Sequence, residues 1–259
     1  MKRRIFIASA ALMGMTVHSQ VVDINDAINK AGRQRMLSQR MSKAYLALTQ
    51  KVEPGSAQQV LDRSVALFDR QLSELKAYAP HADIRDTYVK VEPLWSEFKG
   101  IVVGASPSPG LAPKLLQLDA SLLVLCNQGT VQYEQSSGKS VGKLINMAGR
   151  QRMLSQRMAK FYLANALLAD PKASVAEIAK SRSEFVTALE TLRNAPEATP
   201  KIRDELALAD AQWIFFDQGL QRLESGRASP KQMSDVFISS ENLLNVMDRI
   251  TTLYSNLKA

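Results

Sequence analysis

The sequence predicts an all-α protein built as two tandem antiparallel four-helix bundles, and three observations predict it. Residues 28–48, INKAGRQRMLSQRMSKAYLAL, return 117 positions later at 145–165 as INMAGRQRMLSQRMAKFYLAN. Apolar residues recur at helical spacing in eight segments separated by Pro and Gly. No alternating Val/Ile/Thr run bounded by hairpin turns suggests a strand.

Taken in order, residues 1–20 read as a secretory signal peptide. Lys2, Arg3 and Arg4 precede an apolar run from Ile5 to Val17 that ends in the small-residue context Val17-His18-Ser19. Thirteen apolar residues are fewer than the roughly 20 that cross a bilayer as a helix, so a cleaved signal is expected. An uncleaved signal acting as an inner-membrane tether is the alternative. No later stretch reads as a second anchor, so a water-soluble mature chain in the periplasm is expected.

The first repeat, 21–137, holds helices near 22–50, 57–78, 82–103 and 111–135, broken at Glu53-Pro54-Gly55, Ala79-Pro80 and Ser106 to Gly110. The second, 138–259, holds helices near 140–169, 172–194, 199–225 and 229–257, broken at Asp170-Pro171, Ala195-Pro196 and Gly226 to Pro230. Short connections between amphipathic helices imply antiparallel neighbours. Ser136 to Ser140 is the expected hinge, unless the fourth helix runs straight into the fifth.

Eleven consecutive residues, Ala31–Met41 and Ala148–Met158, are identical between the copies. Elsewhere the likeness is a core pattern: Phe68, Leu72 and Leu75 match Phe185, Leu189 and Leu192. Trp95 matches Trp213, Leu122-Leu123 matches Leu243-Leu244, and Tyr133 falls near Tyr254. A whole domain was therefore duplicated, and one helix drifted far less than the rest.

At 100° per residue, Ala27, Leu37, Met41, Ala44, Tyr45 and Leu48 form one apolar face of that helix. A second stripe lies roughly opposite: Ile24, Ile28, Ala31, Arg35, Ser42 and Leu46, matched by Val141, Ile145, Ala148, Arg152, Ala159 and Leu163. A helix apolar on two sides packs on two sides, so the two copies are expected to pack on each other. Gly32 and Gly149 would allow close approach, each at about 1 kcal/mol of helix propensity relative to Ala. That packing brings Arg35 and Arg152 together in an apolar seam, where two desolvated guanidiniums call for a shared planar anion. The identical segment contains no Asp or Glu to pair them. Arg33, Arg40, Arg150 and Arg157 share a face with Asn29, Asn146, Lys43 and Lys160, and read as an electropositive approach and interhelical salt bridges. Whether the helices pair within one chain or between chains is left open.

The string Ile-Asn-x-Ala-Gly-x-x-Arg-Met-x-Ser-x-Arg, at Ile28–Arg40 and Ile145–Arg157, resembles the P-box of the periplasmic sensor domains of nitrate and nitrite sensor kinases (NarX-like). It is similar also to the PilJ-type N-terminal domain of type IV pilus methyl-accepting chemotaxis transducers. The resemblance implies a sensor bundle that binds nitrate or nitrite between paired P-box helices. Arg35 and Arg152 would hold the anion, Gly32 and Gly149 would allow close approach, and Asn29 and Asn146 would shape the helix start. It also implies a pseudo-dimer within one chain. Such domains continue into a transmembrane helix and a cytoplasmic signalling domain; this sequence ends at Ala259 without them. The expectation is therefore a periplasmic binder that reports to a membrane-bound sensor, chemoreceptor or transporter.

Other classes fare worse. The formal charge of +8 falls to +5 once Lys2, Arg3 and Arg4 leave with the signal, and export makes nucleic acid an unsuitable partner. The single Cys126 excludes an internal disulfide, and His18 and His81 leave no metal-ligand cluster or nucleophile–base pair. No enzyme activity, metal or cofactor is expected. The competing reading is a structural or interaction protein whose repeated helices serve only as an internal seam.

Overall fold

The computed structural model describes residues 20–168, 171–225 and 228–257; the expected signal peptide lies almost wholly outside them. The described residues form eight α-helices and two short 3-10 turns, without a strand. In the first half these are α1 (Ile24–Thr49), α2 (Pro54–Tyr78), α3 (Ala82–Val102) and α4 (Ala112–Ser137); in the second, α5 (Ser140–Ala164), α6 (Pro171–Asn194), α7 (Pro200–Gln221) and α8 (Pro230–Ser255). Helix ends fall near the expected breaks, but Pro54 and Gly55 open α2 instead of preceding it, and α5 and α7 stop at Ala164 and Gln221, short of the expected 169 and 225; Asp170 and Gly226 lie outside the described residues.

Local chemistry explains the boundaries. Asp23 caps α1 by accepting from Asp26 N at 2.8 Å. Lys51 and Glu53 adopt positive φ (57° and 44°) to turn the chain tightly into Pro54 at the first position of α2. Thr199 and Ser229 cap α7 and α8, each followed by Pro, and Ser229 forms a reciprocal capping box with Gln232. Gly138, at φ 63°, terminates α4 in the left-handed region that a side chain would strain. The link between halves is therefore a two-residue break and not a continuous helix.

Corresponding residues do corresponding work. Phe68 stacks on Trp95 at 4.1 Å between ring centroids, and Phe185 on Trp213 at 4.5 Å. Tyr133 Oη donates to Leu75 O at 2.7 Å, and Tyr254 Oη to Leu192 O at 2.9 Å. Each half thus pins α2 or α6 to its last helix in the same way.

α1 and α5 are the central pair. Each packs against the other, α1 also against α2 and α4, and α5 against α6 and α8; α3 lies on α4 and α7 on α8. The central helices run side by side in the same direction. Near their starts, a Cβ on Gly142 would lie 3.3 Å from Ile28 Cδ1, and near their ends Gln50 Nε2 donates to Leu163 O at 2.9 Å. Twenty of the 26 residues of α1 are buried against five of the 22 in α7, as a helix packed on two sides requires.

The expectation that no later stretch reads as a second anchor meets one exception by composition. Pro109–Ser137 is, by length and composition alone, apolar enough to cross a membrane. In the fold it is a bundle helix: it buries Leu115, Leu122, Cys126 and Tyr133 and carries the fully buried carboxylate of Asp119. Asp119 faces Lys160 of α5, and that pair suits a protein interior better than hydrocarbon.

Candidate functional site

The close crossing of α1 and α5 is made by Gly32 and Gly149: a Cβ added to either would lie 3.9 Å from the other's Cα. The same added atom on Gly32 would meet Arg35 Nη2 at 3.3 Å and Arg152 Nη2 at 3.5 Å. The two guanidiniums therefore converge within one chain, where a bulkier residue would displace them. Both arginines are buried, at 1% and 0% exposure.

Each guanidinium reaches across the seam. Arg35 Nη2 donates to Asn146 O at 3.2 Å and Arg152 Nη2 to Asn29 O at 3.0 Å. Asn29 and Asn146 do not shape helix starts, since Asp23 caps α1 and both asparagines lie inside their helices; their backbone carbonyls serve as acceptors for the opposite arginine. The expectation that only a shared anion could satisfy these arginines is thus corrected. Protein acceptors hold much of both groups, although Nε of each has none among the described residues.

The symmetry ends at Nη1. Arg152 Nη1 meets Asp248 Oδ1 of α8 at 2.5 Å, and Asp248 also accepts from Arg33 at 2.9 Å. Arg35 Nη1 meets Asn127 Oδ1 of α4 at 2.9 Å. Positions 127 and 248 have the same spacing as the repeat pairs Leu122/Leu243 and Tyr133/Tyr254. One arginine therefore has a carboxylate where the other has an amide. Among the described residues Arg35 has no carboxylate within ion-pair distance. Burial, then Arg150 and Arg152, disfavour its charge and lower its proton affinity. Since a guanidinium keeps its proton in proteins, that stress amounts to a demand for negative charge nearby. Burial weakens Arg152 in the same direction, but Asp248 opposes it, and Asp248 is held down to about 2 against its own desolvation by Arg152 and Arg33.

The secondary arginines form interhelical salt bridges: Arg40 with Glu241, Arg150 with Glu184, Arg157 with Glu177 and Arg33 with Asp248. Of these, Arg150 also leans toward Asn127 (3.5 Å) beside Arg35. A cleft of about 450 Å³ opens there between α4, α5 and α6, lined among others by Arg35, Asn127, Asn146 and Arg150.

Sequence reasoning missed the acidic and amide residues on α4 and α8. It also placed Lys43 and Lys160 on a shared polar face, whereas both are buried and reach the opposite half. Lys43 donates to Glu241 at 2.6 Å and Ser240 at 2.9 Å; Lys160 pairs with Asp119. Asp119 inside the apolar run Leu115–Leu125 was the available signal, since a lone acid there needs a cationic partner. No group of three or more His, Cys, Asp or Glu residues poised for a metal occurs among the described residues.

Comparison with known proteins agrees with the duplication. The family described as the type IV pili methyl-accepting chemotaxis transducer N-terminal domain matches twice, over residues 17–116 and 134–237. No curated protein and no solved structure matches the chain. Each match contains one copy of the arginine-bearing helix and most of the bundle built on it. The chain belongs to the family of type IV pili methyl-accepting chemotaxis transducer N-terminal domains and carries two copies of that domain.

Proposed function

We propose that this is an exported, non-catalytic sensor-type protein that binds a small oxyanion, nitrate or nitrite first, where its two P-box helices cross. The carrying observation is the convergence of Arg35 and Arg152 at Gly32 and Gly149, with Arg35 lacking a carboxylate. A planar anion offers Arg35 what Asn127 does not, a charge-assisted acceptor in fork geometry. The halves act as domains 21–137 and 138–259, divided at Gly138, and a periplasmic location fits the family and the N-terminal apolar run. A membrane-bound chemoreceptor, sensor or transporter is the partner this reading requires.

A second reading keeps the arginines as a seam lock in an interaction protein. The crossed bonds from Arg35 to Asn146 O and from Arg152 to Asn29 O favour it. Thermal unfolding with nitrate, nitrite, sulfate and chloride at matched ionic strength separates the two. A ligand at 100 times its Kd adds about 2.7 kcal/mol. A nitrate-selective rise in Tm that Arg35→Ala abolishes supports the sensor; equal response to all four anions leaves the seam lock.

A further inference from the structure

The cleft beside Arg35 holds opposite charges that do not meet. Glu134 of α4 lines it, and among the described residues no cation lies within ion-pair distance of this carboxylate. Between the two stands Asn146, whose Oδ1 accepts from Arg35 Nη2 at 2.6 Å while its Nδ2 donates to Glu134. A single neutral amide thus spans an unpaired guanidinium and an unpaired carboxylate.

Gln151 adds an independent observation. It is fully buried, it lines the same cleft, and among the described residues neither Oε1 nor Nε2 has a hydrogen-bond partner. Its counterpart Gln34, in an identical stretch of helix, donates Nε2 to Phe68 O at 3.2 Å. A buried amide with both ends unmade is costly, and a polar ligand in contact with it would remove that cost.

The repeat shows that these features belong to one edge only. Glu134 corresponds to Ser255, Glu184 to Leu67 and Lys143 to Asp26, so none of these three charges recurs on the other edge, where Asp248 instead pairs with Arg152 and Arg33. The divergence lies in the residues around the conserved helix face and not on that face.

We propose that the cleft between α4, α5 and α6 binds a small zwitterion of the α-amino-acid class, its carboxylate on Arg35 and its ammonium on Glu134. The Gln151 amide takes up a remaining polar group of the ligand, and Arg150 stands beside the carboxylate end. A volume of about 450 Å³ accommodates such a molecule with room for a short side chain. The proposal rests on the reading of Arg35 as a ligand-facing group, but it names a ligand with two charged ends where a simple oxyanion has one.

Isothermal titration calorimetry of the whole chain tests it with L-alanine, L-glutamine and L-aspartate, with propionate and propylamine as single-ended controls and sodium nitrate as the inorganic oxyanion. At least one amino acid is expected to bind tenfold or more tightly than propionate. Glu134→Ser, which installs the residue of the other half, is expected to reduce that affinity to the propionate value, and Gln151→Leu to weaken it at least threefold. Circular dichroism melting confirms that both variants fold. Nitrate binding without amino-acid binding overturns this proposal and leaves the oxyanion reading standing. Amino-acid binding without a nitrate response supports this proposal and removes that reading. Equal affinity for alanine and propionate, or an unchanged Glu134→Ser, overturns the ammonium contact.

Discussion

The two edges of the α1–α5 seam present the same helix face to different surroundings. On the α8 edge, Asp248 sits between Arg152 and Arg33, and Glu241 between Arg40 and Lys43, so cations and carboxylates are matched. On the α4 edge, Asn127 replaces the first carboxylate, a cleft opens, and Arg35 and Glu134 are left apart. A symmetric homodimer would have to use one residue at both places. Duplication within a chain removes that constraint, so one edge can be a structural closure while the other is available to a ligand. The seam is symmetric where the backbones touch, at Gly32 and Gly149, and asymmetric wherever α4 or α8 supplies the partner.

Breaking the pairs that close the seam gives the largest expected effect. Lys160 and Asp119 are both buried, and removing one partner strands the other's charge. Asp119→Ala is expected to cost about 3–5 kcal/mol in urea unfolding. Asp119→Leu with Lys160→Met is expected to recover most of the loss, because a well-packed apolar pair avoids the desolvation altogether. A single-variant loss below about 1 kcal/mol would show that the pair does not close the seam.

Acid tests the α8 edge. Burial pushes Glu241 upward, but Lys43 and Arg40 hold it down to about 2, below its ordinary 4.5. A carboxylate depressed in the folded state stabilises above its unfolded pKa and loses that contribution as pH falls through the folded one. The window is therefore about pH 4.5 down to 2. With the side chain 17% exposed, the contribution is on the order of 2 kcal/mol. Glu241→Gln is expected to flatten the pH dependence of Tm in that window, and an unchanged slope counts against the assignment. Lys43 shifts the other way: burial lowers it to about 8 despite Glu241, so its cost is present below pH 8 and relieved toward 10.5.

Exchanging the amide and the carboxylate sharpens the comparison directly. Asp248→Asn strands Arg152 and is expected to cost about 1 kcal/mol, discounted because the Asp248 side chain is 42% exposed. Asn127→Asp gives Arg35 its missing carboxylate. It is expected to raise the anion-free Tm slightly and to abolish the anion-dependent rise. An anion response that survives Asn127→Asp would place the ligand elsewhere.

How much of this was legible in the sequence depends on where the information lay. The eight helices, their Pro and Gly boundaries and the central pairing follow from local chemistry and from the second apolar stripe of Ile28, Ala31 and Arg35, all within single segments. The partners were not legible, because Asn127, Asp248, Glu134 and Asp119 act on arginines and lysines 41 to 215 residues away in the chain. Their roles depend on the rotation of α4 and α8 about the central pair, which periodicity does not specify. One clue was available: aligning Tyr133 with Tyr254 pairs Asn127 with Asp248, and a charge difference between repeats facing an identical arginine marks asymmetry. The unbroken stretch of identical residues looked like a symmetric ligand site because the segment contains no acid; the acids come from helices where the repeat had drifted.

The smallest expected effect lies on the outer surface, far from the seam. Glu97 of α3 pairs with Lys114 of α4 at 2.9 Å, both side chains at least half exposed. The equivalent positions in the second half are Phe215, 66% exposed, and Asp235, with Ile214 and Ile238 also exposed nearby. An exposed ion pair contributes about 0.2–1 kcal/mol, and an exposed phenyl ring contributes little to folding because water still covers it. Phe215→Glu is therefore expected to change unfolding free energy by less than about 0.5 kcal/mol while improving solubility. A loss above 1 kcal/mol would mean that the ring packs on α8 in solution, and that the second bundle has replaced its sibling's surface ion pair with an apolar contact.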